Sequence, residues 1–169
     1  MNKISDRDFF TKDVLELAPE LVGKIISVNI NNLVKEYRIT QTEAYRGEED
    51  LACHARKGRT KRTDPMYYEG GILYVYLVYG IHWMLNIVAG KKGSPQAALI
   101  RGIKNFEGPG KLTKEMKINK SFNYIDITKS NRIFLMDDNY KPEVITKPRI
   151  GIDYAGDYWK NKEWRFISS

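Results

Sequence analysis

The sequence predicts an α+β fold, a single domain with a mostly antiparallel mixed β-sheet and flanking helices. Short runs of β-branched and aromatic residues recur between Gly, Pro and Asn residues, which is typical of strands joined by turns. Only two segments, one near the start and one after Gly108, have the composition of helices. Hydrophobic residues make up 42% of the 169 residues, enough for one substantial core and too few for two. We therefore expect residues 1–169 to form one domain.

The first predicted element is an amphipathic helix. Apolar residues recur there at helical spacing, at Phe10, Val14, Leu17 and Leu21. Ser5 and Thr11 are the candidate N-caps, and Gly23 ends the helix. Pro19 lies inside this pattern, so we expect it to kink or restart the helix.

Two predicted strands follow, residues 24–29 and 37–45, joined through the polar stretch 29–35 as an antiparallel hairpin. Side chains alternate between the two faces of a strand. One face of the second strand should therefore carry Ile39, Gln41, Glu43 and Tyr45. An acid and a phenol that point the same way suit a cleft.

A second hairpin is predicted from the apolar runs 72–79 and 81–89, which meet at Tyr79-Gly80 and leave an aromatic residue at the tip. A further strand, 97–103, precedes Gly108-Pro109-Gly110, which suits the start of a helix over 111–118. The remainder predicts a strand at 132–136, a turn at 137–139 and an extended segment at 147–152.

The charge and the cysteine content limit the classes of partner. The formal charge of +7 favours a polyanionic partner, and residues 55–62 contain five cations and no acid. A solvated basic loop, kept mobile by Gly58, is the alternative reading. Cys53 is the only cysteine, so no internal disulfide forms, and with two histidines it provides too few ligands for a structural zinc site. No apolar run approaches membrane-spanning length, and we expect a soluble chain in a reducing, intracellular setting.

Three segments carry a resemblance when they occur in this order. They are 42–45 extended through Asp50 and His54, 73–80 with Asn86, and 108–112. Together they resemble the alkyladenine (3-methyladenine) DNA glycosylase family, over most of the chain from about Leu21 to Phe166. The resemblance implies a monofunctional, cofactor-free enzyme of base excision repair that binds double-stranded DNA as a monomer. In a bacterium it would be cytoplasmic or associated with the nucleoid.

The resemblance also implies roles for residues near the reacting bond. Glu43 matches the catalytic glutamate, which would activate a water for attack on C1′ and stabilise the cationic sugar. Arg101 matches an active-site arginine near that water or the target phosphate, and a buried pair with Glu43 is the alternative reading. The product is an abasic site.

Other matching residues would hold the base. The flipped purine (3-methyladenine, 7-methylguanine, hypoxanthine or etheno-adenine) would stack between Tyr45 on one side and Tyr76 with His54 on the other. Asn86 would crowd the amino group of guanine. A hydrogen-bonded structural histidine and a packed strand tyrosine are the alternatives for His54 and Tyr76.

The remaining matches concern the DNA itself. Tyr79 resembles an intercalating tyrosine, so its hairpin would protrude and enter the DNA, although a ring folded back onto the sheet is the alternative. Arg59, Arg62 and Lys111 would contact phosphates. The segment 60–63 departs from the family pattern, in which Asn commonly follows the Arg.

Two other functions are compatible with the residues. A metal-dependent nuclease would use acidic residues and a histidine, namely Glu43, Glu48, Glu49, Asp50 and His54. The acids at 48–50 follow Gly47 in a predicted loop, which does not favour convergence on a metal. A non-catalytic module built on the basic segment would bind DNA and release no base.

Overall fold

Ten antiparallel strands form the sheet in the computed structural model, which describes residues 1–169. The strands are β1 Asn2–Lys3, β2 Ile25–Ile30, β3 Leu33–Arg46, β4 Leu73–Val78, β5 His82–Val88, β6 Gln96–Ile103, β7 Phe106–Glu107, β8 Ile133–Asp137, β9 Val144–Lys147 and β10 Arg165–Ser168. The helices are α1 Val14–Leu21, α2 Pro109–Glu115 and α3 Asp157–Lys160. Neighbouring strands follow the order β1-β8-β2-β3-β6-β5-β4, β7 pairs with β6, and β10 pairs with both β3 and β9. The predicted α+β class is confirmed.

The long strand β3 organises the sheet. Its first half pairs with β2, and its second half lies between β6 and β10. The predicted antiparallel hairpin is confirmed, but its connection is shorter than 29–35, because both strands continue to a turn at Asn31 and Asn32, with φ of 51° and 66°. Asn tolerates this left-handed conformation better than most residues, so the strands can extend up to a tight turn.

A register irregularity in β3 changes which residues share a face. The pairing with β6 shifts between Ile39 and Gln41 and again between Gln41 and Thr42. Ile39 and Ala44 are five positions apart, yet both pack in the main core. A β-bulge has this effect because it inserts a residue into the alternation. The expectation that Ile39 shares a face with Glu43 is therefore wrong.

Helix α1 covers one side of the main core with its apolar face, which comprises Val14, Leu17, Ala18 and Leu21. The predicted caps Ser5 and Thr11 are wrong, since Asp13 caps the helix by accepting a hydrogen bond from the Leu15 amide at 2.9 Å. Pro19 neither restarts nor ends the helix. Thr42 donates to the carbonyl of Ala18 at 2.7 Å, which joins α1 to β3.

The second hairpin is confirmed, with β4 and β5 paired from Leu73 opposite Ile87 to Val78 opposite His82. Helix α2 begins at Pro109, inside the predicted glycine turn, and ends at Glu115, so its bounds differ from the predicted 111–118. The sequence patterns did not indicate β9 and β10, and most of the segment 147–152 is a loop that leaves β9 at Lys147. This loop runs past the second half of β3.

Candidate active site

A cleft of about 480 Å³ opens on the face of the sheet that carries Glu43. Its volume lies in the range of about 300–1,000 Å³ that is common for small-molecule sites. Eight of the ten residues singled out in the sequence line it, namely Glu43, Tyr45, His54, Arg62, Tyr76, Tyr79, Asn86 and Arg101. Strands β3, β4, β5 and β6 supply most of these side chains, so residues far apart in the chain meet in one place. Arg59 and Lys111 do not line the cleft.

Glu43 lies at the floor of the cleft and is fully buried. Its Oε1 accepts hydrogen bonds from the Tyr45 hydroxyl at 3.2 Å and from Arg101 Nη1 at 3.4 Å. Its Oε2 accepts a bond from the Ile150 backbone amide at 2.7 Å. Burial raises the pKa of Glu43 above its ordinary value, while nearby Arg101 and the Ile150 amide oppose that rise.

Arg101 covers the carboxylate of Glu43. Its side chain is 17% exposed, and the 3.4 Å separation makes a long contact for an ion pair. The alternative reading of Arg101, a pair with Glu43, is thus observed in the free chain. Because Glu43 has no solvent-accessible surface, a water molecule cannot touch its carboxylate until a covering group moves.

An aromatic wall stands on one side of the cleft. The rings of His54 and Tyr76 lie 4.5 Å apart between centroids, and those of Tyr74 and Tyr76 lie 5.0 Å apart. His54 Nδ1 is 2.9 Å from the Tyr74 hydroxyl, so the histidine is structurally hydrogen-bonded as well as exposed to the cleft. Burial, assisted by Arg62 and Arg56, lowers the pKa of His54 to about 4. The imidazole is therefore neutral at pH 7.

Tyr45 and Asn86 complete the lining near Glu43. Desolvation and the neighbouring Glu43 carboxylate raise the pKa of Tyr45, so its hydroxyl stays protonated and donates. Asn86 is buried and donates Nδ2 to the carbonyl of Tyr74 at 3.1 Å. This bond fixes the amide group of Asn86 against the cleft wall.

Tyr79 is the most exposed large side chain at the rim, with 90% of its surface accessible. It does not fold back onto the sheet, which excludes the alternative reading. Its φ is 53° and that of Gly80 is 70°. A tyrosine in the left-handed region carries strain of about 1–2 kcal/mol, so the turn presents this ring at an energetic cost.

The three cations expected to meet phosphates differ in their surroundings. Arg62 stacks over the Tyr76 ring at 5.2 Å and borders the cleft. Arg59 pairs with Asp64 at 2.8 Å, in a basic segment that is folded into turns around residues 54–57 and 64–67. Lys111 is exposed on α2.

Sequence reasoning missed the contribution of the loop after β9. Ile150, Gly151, Ile152 and Tyr154 line the cleft, and Arg149 lies buried beside them. The segment 149–152 lies within the stretch that resembles the family, and Arg149 pairs with Asp50 across 99 positions. No local pattern indicates so distant a contact.

The acids that a nuclease would need do not converge. Asp50 is engaged by Arg149, and Glu48 accepts a hydrogen bond from Tyr67 at 2.7 Å. No group of three or more His, Cys, Asp or Glu residues is arranged to hold a metal ion. The helices are also too short and too polar for any of them to cross a bilayer.

Comparison with known proteins decides the family. The family model described as methylpurine-DNA glycosylase (MPG) matches residues 8–108 and 104–169, which together span nearly the whole chain. The chain belongs to the methylpurine-DNA glycosylase family. Methylpurine-DNA glycosylases are hydrolases of N-glycosyl bonds that act in base excision repair, so this chain is an enzyme of that class.

Similar proteins extend over the same length. A protein of Borrelia garinii subsp. bavariensis is 42% identical over 174 residues, covering 95% of this chain and 94% of its own. Proteins of Psychrobacter cryohalolentis and Rickettsia felis are each 40% identical, and cover 92% and 99% of this chain with 86% and 95% of their own. All three bear the name "Putative 3-methyladenine DNA glycosylase". The match therefore includes the residues that line the cleft.

Proposed function

We propose that residues 1–169 act as a single, monomeric domain that flips alkylated or deaminated purines out of duplex DNA and hydrolyses their glycosidic bond. One observation carries this proposal. A buried carboxylate, Glu43, lies at the floor of an aromatic cleft whose rim bears a fully presented tyrosine, Tyr79. Such an enzyme needs a group that carries out the reaction, rings that stack on the flipped base and a side chain that enters the duplex.

Flipping requires a wedge, because rotating a nucleotide out of the duplex leaves a gap in the stack. The Tyr79 ring is 90% exposed at the turn between β4 and β5, and both strands are paired up to that turn. The paired strands would hold the ring at the tip of the hairpin as it enters the duplex. Arg62 at the cleft edge, with Arg59 and Lys111 further out, would neutralise nearby phosphates.

The walls suit a flat and electron-poor base. Tyr45, Tyr76 and His54 offer π faces, which attract cationic rings such as those of 3-methyladenine and 7-methylguanine. Because His54 is neutral at pH 7, it adds no repulsion against a positively charged base. The fixed amide of Asn86 would obstruct the 2-amino group of guanine, which 3-methyladenine, hypoxanthine and etheno-adenine lack. 7-Methylguanine keeps that group, so its excision would rely on the positive charge that weakens its glycosidic bond.

The chemical step needs one water and one base. The water oxygen bonds to C1′ while the C1′–N9 bond breaks, and its electron pair leaves with the purine. Glu43 accepts the proton of the water, and its negative charge stabilises the cationic sugar. The products are an abasic site in an intact strand and the free base, which leaves uncharged when the purine is cationic and takes up a proton from solvent when the purine is neutral. Since Glu43 is covered in the free chain, a group that contacts it, such as Arg101, would shift before the water binds.

Replacing the carboxylate tests this mechanism directly. Glu43→Gln keeps the shape of the side chain but removes the proton acceptor, so we expect base release from a 7-methylguanine duplex to be abolished while duplex binding persists. Glu36→Gln, an exposed residue of the same strand, is the matched control and should turn over normally. Near-normal excision by the Glu43 variant would refute the role of the carboxylate.

Two further assays separate hydrolysis from other chemistries. We expect activity to survive a chelator, whereas a metal-dependent nuclease would lose it. We also expect borohydride to trap no covalent adduct, because hydrolysis involves no Schiff base. Intact strands after base release, with breaks appearing only on alkali treatment, would identify the abasic product.

A further inference from the structure

A buried ion pair lies directly behind the cleft. Arg149 Nη1 is 2.6 Å from Asp50 Oδ2, and Arg149 Nη2 is 3.0 Å from Asp50 Oδ1. Both side chains are fully buried. The geometry is bidentate, which fixes the orientation of both groups as well as their separation.

Each partner also ties down a separate backbone segment. Asp50 accepts hydrogen bonds from the Arg46 and Ala52 amides, both at 3.0 Å, and so fixes the turn after β3. Arg149 donates to the carbonyl of Ala44 at 2.9 Å, on the strand that carries Glu43. The Arg149 guanidinium is stacked between two rings, 4.9 Å from each, those of Tyr45 and Trp164.

The residue after Arg149 makes the shortest contact to Glu43. The Ile150 amide donates to Glu43 Oε2 at 2.7 Å. Arg165 Nε donates to the carbonyl of Pro148, the residue before Arg149, at 2.9 Å. The backbone that leads to Ile150 is thus anchored at two successive residues, and Arg149 provides the buried anchor.

Stability alone does not account for this arrangement. Burying an ion pair costs desolvation free energy, and well-packed apolar residues of similar volume often serve a fold equally well. Arg149 Nε is also left buried without a partner. Arg149 forms hydrogen bonds that an apolar side chain could not form, to Asp50 and to the carbonyl of Ala44.

We propose that Arg149 and Asp50 are a positioning pair that holds the Ile150 amide on Glu43 and so keeps the carboxylate in one orientation toward the cleft. The inference rests on the proposed role of Glu43 and extends it to two residues that touch no substrate. The pair acts by holding the loop that carries Ile150 and by the charge that it places near Glu43.

The charges around Glu43 make the proposal distinguishable from a purely structural role. Each element packed around Glu43 contributes a charged or titratable group. These groups are Arg101 of β6, Tyr45 of β3, Tyr76 of β4, Arg165 of β10 and Arg149 of the loop, and Asp50 lies behind Arg149. The Ile150 amide lowers the pKa of Glu43, and Arg149 lowers it to a smaller extent. If the pair holds that amide on Glu43, removing either partner should therefore raise the pKa of Glu43, and by more in the Arg149 variant.

The test measures single-turnover excision of 7-methylguanine, with enzyme in excess, across pH. The base is already cationic, so the acidic limb of the profile reports the ionisation of Glu43. We expect Arg149→Met to move that limb to higher pH, and Asp50→Asn to move it the same way by less, because the charge of Arg149 remains. Loss of the anchor should lower the maximal rate about 100-fold in both, with lesion-duplex Kd changed much less.

Controls and outcomes separate the two levels of the argument. Arg38→Met removes an ion pair with Asp138 on the first half of β3 and should leave rate and limb unchanged. If Arg149→Met does not fold, Asp50→Asn alone must still show the upward shift and the slower rate. Lower rates with an unmoved limb, or normal rates and limbs, overturn the positioning role. Excision by Glu43→Gln would instead refute the proposed function itself.

Discussion

Replacement of Tyr79 by alanine should weaken binding to damaged DNA without weakening the fold. The ring is 90% exposed, and changes at such positions usually alter the free energy of unfolding by less than about 0.5 kcal/mol. If the ring fills the gap left by the flipped nucleotide, its loss removes stacking worth about 1–3 kcal/mol. The Kd for a lesion duplex should then rise about 5- to 150-fold.

The assay compares titrations of an etheno-adenine duplex by the fluorescence of the lesion, which changes when the base leaves the stack. Tyr158→Ala is the matched control, because this tyrosine is 68% exposed but lies outside the cleft. Tyr79→Gly separates strain from stacking, since glycine tolerates φ of 53° and should stabilise the hairpin while binding stays weak. Wild-type affinity and flipping in the alanine variant would reject the wedge.

Two further predictions concern pH. Burial raises the pKa of Glu43, so the rate of excision of a cationic purine should increase with pH through that raised pKa and then level off. Arg101→Met should move this rise to still higher pH, because Arg101 lowers the pKa of Glu43. Single-turnover rates whose acidic limb does not move in the variant would contradict this. The pKa of His54 falls from 6.5 to about 4 on folding, so its contribution to stability is complete above pH 6.5 and lost as pH falls toward 4, by roughly 3 kcal/mol at most. His54→Gln should flatten the thermal midpoint between pH 6.5 and 4, and a slope equal to that of the wild type would show that another group titrates there.

The sequence predicted the elements whose signals are local. The hairpin over 72–89 has two apolar runs that meet at Tyr79-Gly80, and α2 has a glycine turn at its start, so both could be recognised from neighbouring residues. The cap of α1 was misassigned because Ser5 and Thr11 are also good caps, and only the tertiary position of the helix selects Asp13.

What the sequence could not supply depends on distant contacts. The bulge in β3 follows from its pairing with β6, and no composition marks it. Strands β9 and β10 are four residues each and show no clear alternation of apolar and polar residues, so the sequence does not predict their pairing. Of the cleft, the residues on β3 to β6 could be predicted because the resemblance names them. Ile150 and the Arg149–Asp50 pair could not, because their function lies in a backbone amide and in a long-range contact.

The covered state of Glu43 adds a step to the proposed reaction. Arg101 and Tyr45 are bonded to one carboxylate oxygen and the Ile150 amide to the other, so a water reaches the carboxylate only after one of these contacts opens. In the proposed mechanism the flipped nucleotide enters first and the nucleophile second, so the time that a base remains in the cleft would be a criterion of selection alongside its shape.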